Sequence, residues 1–453
     1  MLIKLEKTKN MRIQNIYRGL VGIFAIGLAT SLVSCNDQPD KFEMTSGTPT
    51  IKYIRLTDPE KADSLLDQAY METTICLVGD NLTSIHKLWF NDQPAILNTS
   101  LITDHTMIVD IPSKIPDEIT NKIYMETRDG VNCEYDFTVL VPDPVITSLK
   151  NEWVPAGGEA VLYGRYFVDD VNSPITITMP GNIVVPHSNI TSFSETEIHF
   201  IVPQECDGIS GQINVSTMYG KGRSPFYFHD NRGIMFDFDG VSPLNFTSNC
   251  WHARPAVEDE NSLSGAYIQF GNGTATMDDV TWDDSNFFAE YWAGTWDLVY
   301  PSYGEGMLIC DLVDFTDWEN MSLKFEMQVP SSNPWNAAAM QIIFASGAQI
   351  HIWEASWDFF NVEGPQQAPR AMYRPWQTAA NGDFHTNGEW ITVTIPLTSF
   401  VYNYEGGAAY SSITGPESFG SFQMCIVGGG ILTEKECTPI IRVDNIRAVE
   451  NLD

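Results

Sequence analysis

Ten of the twelve tryptophans lie after residue 230: Trp251, Trp282, Trp292, Trp296, Trp318, Trp335, Trp353, Trp357, Trp376 and Trp390. An indole face suits a pyranose face, because the sugar's axial C–H groups are apolar and slightly positive while the ring's π face is negative. A surface that binds glycans therefore needs open rings and a few polar groups to set register. Indoles also fill sandwich cores, and more than half of these ten are expected to do so. Trp390, heading the alternating run 390–395, and Trp318, just before the run 323–327, read as core, whereas Trp282, Trp292 and Trp296 are open to either role. Trp335 sits in the turn-rich stretch 331–336, and Tyr373 and Trp376 sit between prolines in 369–377. These three, with Trp353 and Trp357 of 351–357, are the candidate stacking residues. Arg370 and Arg374 carry donors that sugar hydroxyls accept, as do the side-chain amides of Asn336 and Gln377, although a solvated loop is the plainer role for all four.

Other chemistries find less support. Glycoside hydrolysis needs two carboxyls at a fixed separation. The Glu-x-Asp-x-x-Glu run of jelly-roll glucanases is absent, and the pairs Asp278-Asp279 and Asp283-Asp284 would point to opposite faces of a strand. Neither His-Glu-x-x-His nor Gly-x-Ser-x-Gly occurs. No enzyme is expected. Asp237 with Asp239, or Asp283 with Asp284, could supply oxygens to a structural calcium, but acidic turns are more often solvated, so no metal or other cofactor is expected. Of eight cysteines, Cys35 stands apart near the N-terminus, and the remaining seven show no short paired spacing that would hold zinc. Disulfides and buried free thiols are both open to them. A formal net charge of -33 repels phosphate backbones, which argues against nucleic acid and against acidic polysaccharides. A neutral polysaccharide meets no such penalty.

The elements that must position these residues are strands. Short alternating runs such as 108–111, 198–202 and 390–395, punctuated by Gly, Pro and Asn, predict an all-β chain of sandwiches. The stretch from Asp58 to Met71 is the helix-like exception, read as an insertion after the first strand. Residues 49–141 and 144–229 repeat one another at an offset of about 90 residues, the size of an immunoglobulin-like domain. Pro49-Thr50-Ile51 answers to Pro144-Val145-Ile146, Leu77-Val78-Gly79 to Leu162-Tyr163-Gly164, and Val109-Asp110-Ile111-Pro112 to Phe200-Ile201-Val202-Pro203. The glycines suit a turn requiring positive φ, and the prolines mark a strand's end. Domains are thus expected at 49–142 and 143–229, joined through the proline-stiffened Val141-Pro142-Asp143-Pro144, with a jelly-roll-like β-sandwich at 230–453. Before them, basic residues 4–18 and an apolar run end at Leu32-Val33-Ser34-Cys35, which predicts a secretory signal over 1–34. An acidic tether follows over 35–48, and Met11 is an alternative start.

Three resemblances give these features context. Leu-Val-Ser-Cys resembles the bacterial lipobox, which implies lipidation of Cys35; the acidic stretch after it is similar to that of surface-exposed Bacteroidetes lipoproteins, which implies an outer-membrane anchor facing outward. The two repeats resemble IPT/TIG immunoglobulin-like domains. The C-terminal segment resembles the glycan-binding domain of the B-type surface glycan-binding proteins of Bacteroidetes polysaccharide-utilisation loci, through residues 283–292, Asn333-Pro334-Trp335, Tyr373-Arg374-Pro375-Trp376, Gly388-Glu389-Trp390 and the closing 442–447. The last resemblance implies capture of a neutral plant-type glycan, xyloglucan or another β-glucan, beside a SusC/SusD-like transporter complex. An adhesin with a protein partner is the alternative, and a glycoside hydrolase a more distant one.

Overall fold

The computed structural model describes residues 46–246, 254–293, 307–346 and 368–452. Strands dominate them, and their only α-helices are the single turns Asp284–Phe287 and Ile309–Leu312. The protein is all-β. The chain divides after Pro142 into two compact units.

The first unit is a sandwich. One sheet orders Thr50–Leu56, Thr74–Asp80 and Thr106–Asp110, and the other orders Gln93–Pro94, Ile85–Phe90, Lys122–Thr127 and Asn132–Asp136. The period of two is clear in Lys122–Thr127, where Ile123, Met125 and Thr127 turn inward. With Ile54, Leu77, Phe90 and Phe137, Ile123 and Met125 form the core. The expected helix over 58–71 does not form. Asp58 caps one 3-10 turn, Pro59–Lys61, by accepting from the Glu60 amide at 3.0 Å. The Leu66 amide then returns to the Ile54 carbonyl, and Gln68–Tyr70 pairs in parallel with Thr138–Leu140. An isolated helix of this length is marginal, and strand pairing captures the segment instead.

The second unit opens with the other immunoglobulin-like domain, whose sheets are Val145–Leu149, Glu159–Arg165, Glu197–Ile201, Ile190–Phe193 and Ile183–Val184, Thr176–Met179, Asn214–Thr217, Gly220–Arg223. The sequence repeat is here a repeat of register. Ile51 lies opposite Gly79 and Ile146 opposite Gly164, and each first strand bulges immediately afterwards, between Ile51 and Tyr53 and between Ile146 and Ser148. These glycines do not serve positive φ. A Cβ on Gly79 would lie 1.8 Å from the Thr50 carbonyl oxygen, and one on Gly164 would lie 2.2 Å from that of Val145. Close backbone approach at the bulge is what requires glycine there. The left-handed residues are Asn81 and Tyr166, two positions on.

The C-terminal sandwich faces two sheets together. One contains Ile234–Phe236, Ile441–Glu450, Met321–Gln328 and Ile391–Pro396, with Ile268–Phe270 also on Ile441–Glu450; the other contains Phe288–Tyr291, Ser421–Val427, Ala339–Ala345 and Arg370–Tyr373. Leu323, Phe325 and Met327 from the first meet Met340, Ile342, Phe344, Phe422 and Met424 from the second in one core. The described cysteines Cys76, Cys133, Cys206, Cys310, Cys425 and Cys437 are free thiols. Burial pushes Cys206 up to about 11, which keeps it an unreactive thiol.

Strand Met321–Gln328 alternates polar and apolar residues, yet every residue in it is buried. Its polar face is covered by the second immunoglobulin-like domain. Glu152 of that domain takes the Lys324 Nζ at 2.6 Å and the Arg447 Nη2 at 2.8 Å. Arg447 also grips Glu326 with both terminal nitrogens, at 2.8 and 3.1 Å. Thr392 donates to Glu326 at 3.0 Å and accepts from the Glu152 amide at 2.7 Å. Two anions and two cations close on one another with almost no water access.

Removing one member leaves a buried charge unmatched, so Glu152→Ala is expected to lower the unfolding free energy by about 3–5 kcal/mol, read from urea denaturation. A loss under about 1 kcal/mol would mean that water reaches the cluster. A pH effect follows from Asp444, which lies opposite Glu326 in the ladder. Burial, then the charge of Glu326, pushes its carboxyl up to about 8. Burial pushes Glu326 itself up to about 7 against the pull of Arg447. A carboxyl raised in the folded state keeps a proton that the unfolded chain releases, so its stabilisation is present in acid and lost as pH rises through the folded value. The unfolding free energy is therefore expected to fall from about pH 5 to about pH 8, and Asp444→Asn to flatten that slope by up to about 1 kcal/mol per pH unit.

Candidate functional site

The loop after strand Met321–Gln328 carries Trp335. It does not stand in solvent as its polar neighbours suggest. Trp335 and Phe384 exchange backbone hydrogen bonds at 2.9 Å in both directions, which draws the loop onto the sandwich. The indole is 0% exposed, its Nε1 donates to the Ala337 carbonyl at 2.7 Å, and its ring lies 6.1 Å from that of Tyr373. The expectation of an open ring is corrected: Trp335 closes the end of the core.

The other predicted residues divide similarly. Tyr373 ends strand Arg370–Tyr373 and turns inward against Phe325, at 6.4 Å, and burial holds its phenol well above the ordinary range. Trp376 lies in the 3-10 turn Pro375–Gln377, buried, with its Nε1 donating to the Ala338 carbonyl at 2.7 Å. Arg370 is fully buried and donates to the Gln341 side chain at 2.8 Å, so it too is not the solvated loop donor expected. Its backbone belongs to a strand, and its side chain is enclosed on the polar face of that sheet. Arg374 is half-buried; it donates to the Gly429 carbonyl and lies 5.9 Å from the Tyr402 ring. Trp353 and Trp357 lie outside the described residues.

Beside Pro375 and Trp376 the structure opens a groove of about 490 Å³, lined among others by Pro375, Thr378, Asn381, Asp383, Phe384 and His385. Asp383 accepts from Asn336 at 3.1 Å and from Lys435 at 3.2 Å, and these two partners hold its carboxyl below the usual range. Lys435 also donates to the Asn381 carbonyl. The residues lining it carry a carboxylate, an amide, a hydroxyl, an imidazole and a phenyl ring, a set that suits a polyhydroxylated ligand. Asn381, Asp383, Phe384 and His385 were not singled out in the sequence. The one signal was Asn381-Gly382, a turn whose two residues both take positive φ.

The acidic pairs have structural work. Asp278 accepts from the amides of Val280 and Thr281, at 2.8 and 2.7 Å. Asp279 accepts from the amides of Thr433 and Glu434, at 2.6 and 2.8 Å. Asp283 caps helix Asp284–Phe287 through the Asn286 amide at 3.1 Å. Asp237 accepts from Asp239 and Ser242, at 3.2 and 2.9 Å.

Residues 228–450 match a family described as the surface glycan-binding protein B xyloglucan-binding domain. The chain is similar to the solved surface glycan-binding protein B of Prevotella bryantii, with 41% identity, 90% of this chain and 99% of that one covered, and a TM-score of 0.69. It is also 31% identical over 167 residues to an IPT/TIG domain-containing protein of Bacteroides ovatus, a match covering 34% of this chain and spanning about a third of that relative, 33% of its length.

Since Trp335 completes the core, Trp335→Ala is expected to cost about 3–5 kcal/mol of stability in urea denaturation. A variant of unchanged stability would return the ring to the surface.

Proposed function

Because the chain belongs to the surface glycan-binding protein B family, we propose that it captures xyloglucan or another neutral β-glucan at the cell surface and presents it uncut. The observation that carries this reading is the match of residues 228–450 to a xyloglucan-binding domain, within a likeness that extends over nearly all of a solved relative. The carboxylates support binding without cleavage: Asp278, Asp279 and Asp283 are engaged with loop backbone rather than poised across a cleft. Ligand contact is proposed at the groove, and Arg374, Trp353 and Trp357 are proposed as further contacts. Trp335, Trp376 and Arg370 would act on it by holding the loops in place, since their polar groups are taken up inside the domain, and half-buried Tyr373 packs against the same core.

In this reading Cys35 carries the lipid that fixes the chain to the outer membrane, facing outward. A SusC/SusD-like transporter complex would receive the glycan. Many anchored copies, each with a weak site, hold a long polymer by avidity, because every later contact is made at high effective concentration.

Affinity electrophoresis of the whole mature chain through gels containing xyloglucan or mixed-linkage β-glucan tests this. Retardation by at least one, with no new reducing ends on incubation, is the expected outcome. Unretarded migration in both gels, or release of reducing ends, would overturn it.

A further inference from the structure

Among the described residues of the C-terminal domain, Trp292, Trp335, Trp376 and Trp390 are buried and Trp318 is half-buried, whereas Trp282 is 40% exposed. We propose that Trp282 is a glycan-stacking residue, presented with Val280 and Leu432 on two clasped loops that extend the binding surface away from the groove. This inference rests on the glycan-binding reading and adds a residue and a direction to it.

Three features of the loop carry the assignment. First, it is held rigidly. The Asp278 carboxylate gathers the amides of Val280 and Thr281 and the Thr281 hydroxyl, the last at 2.7 Å. On the other side of Trp282, Asp283 caps the next helix and takes the Asn286 side-chain amide at 2.7 Å. The indole is backed by Phe288, at 4.7 Å between ring centroids, and Phe288 is itself fully buried. A ring fixed in this way loses little freedom when a ligand settles on it.

Second, its neighbours are apolar and exposed. Val280 is 80% exposed and Leu432 72%, on loops that Asp279 ties together through the Thr433 and Glu434 amides and the Thr433 hydroxyl. Exposed apolar side chains on loops tied to one another offer a ligand an apolar face. Third, this surface connects to the groove. Lys435, two residues beyond Thr433, reaches Asp383, the groove's carboxylate, at 3.2 Å. The loop 433–435 therefore bonds both to Asp279, on the loop that carries Trp282, and to Asp383 of the groove. A surface extended along a loop fits a run of several sugars better than a single monosaccharide. Asp278, Asp279, Asp283, Asp284 and Glu434 put negative charge around it, so the occupant is a neutral glycan chain and not an anionic one.

The test uses the whole mature chain, with xyloglucan and mixed-linkage β-glucan as probes. Trp282→Ala is expected to weaken retardation by about tenfold or more, as the loss of an aromatic anchor does, and Trp282→Phe to retain part of the binding. Oxidative footprinting of the unsubstituted protein gives a readout independent of folding: glycan should protect the peptide bearing Trp282 and leave the peptide bearing Trp390 unchanged. A parent chain that is retarded while Trp282→Ala matches it within about twofold, or a Trp282 unprotected by a glycan that does bind, overturns the inference and leaves the function standing. A parent chain retarded by neither glucan overturns both.

Discussion

Four charges almost shut off from water, Glu152, Lys324, Glu326 and Arg447, decide how the C-terminal half of this protein is built. Sheets in a sandwich ordinarily give one face to the core and the other to solvent. Here the outward face of strand Met321–Gln328 carries Lys324 and Glu326, and the preceding domain covers it with Glu152. Burying such groups is tolerable only when each is matched, and the match depends on residues from both domains. The second immunoglobulin-like domain is thus part of what lets the C-terminal sandwich keep its own charges buried, and the two fall within one compact unit.

The same economy of polar groups appears at the loop end. Loops that turn tightly leave amides without ladder partners, and buried or half-buried amides must find acceptors. Asp278, Asp279, Asp283 and Asp237 supply them. Much of the acidity of this region therefore goes to holding loops, as Asp278, Asp279 and Asp283 do through backbone amides. Hydrogen bonds from backbone to carboxylate are charge-assisted and short, and they fix the loops more firmly than van der Waals contact alone would.

The parts of the fold legible in the sequence are those governed by local period and spacing. Alternation exposed the strands, and the paired Pro-x-Ile and Gly steps exposed the two related domains, because the same bulge and register recur at Ile51/Gly79 and Ile146/Gly164. What those glycines do was not legible, since close approach of Thr50 and Val145 is a property of the neighbouring strand. The segment 58–71 has helical composition but lies beside an available strand, and a non-local pairing decided its shape. For the site, composition misjudged exposure. Ser331-Ser332-Asn333-Pro334 is polar, but the Trp335–Phe384 exchange pulls the following ring into the core. Polarity of a loop reports on most of its residues, not on the one that anchors it.

Trp335 and Trp282 make that distinction concrete. The sequence favours Trp335 as the open ring and leaves Trp282 undecided, whereas the structure buries Trp335 and exposes Trp282. The difference lies in where the backbone hydrogen bonds go. At Trp335 they run to Phe384, on another segment of the domain, so the side chain is carried inward. At Trp282 the flanking aspartates gather the amides of Thr281 and Asn286 close by, and the indole is 40% exposed. A carbohydrate-binding ring must be both open and immobile, since an open mobile ring gives up freedom that weakens an already modest contact. Loops closed by aspartate satisfy both conditions, which is a physical reason for a neutral-glycan surface to be set among acidic residues.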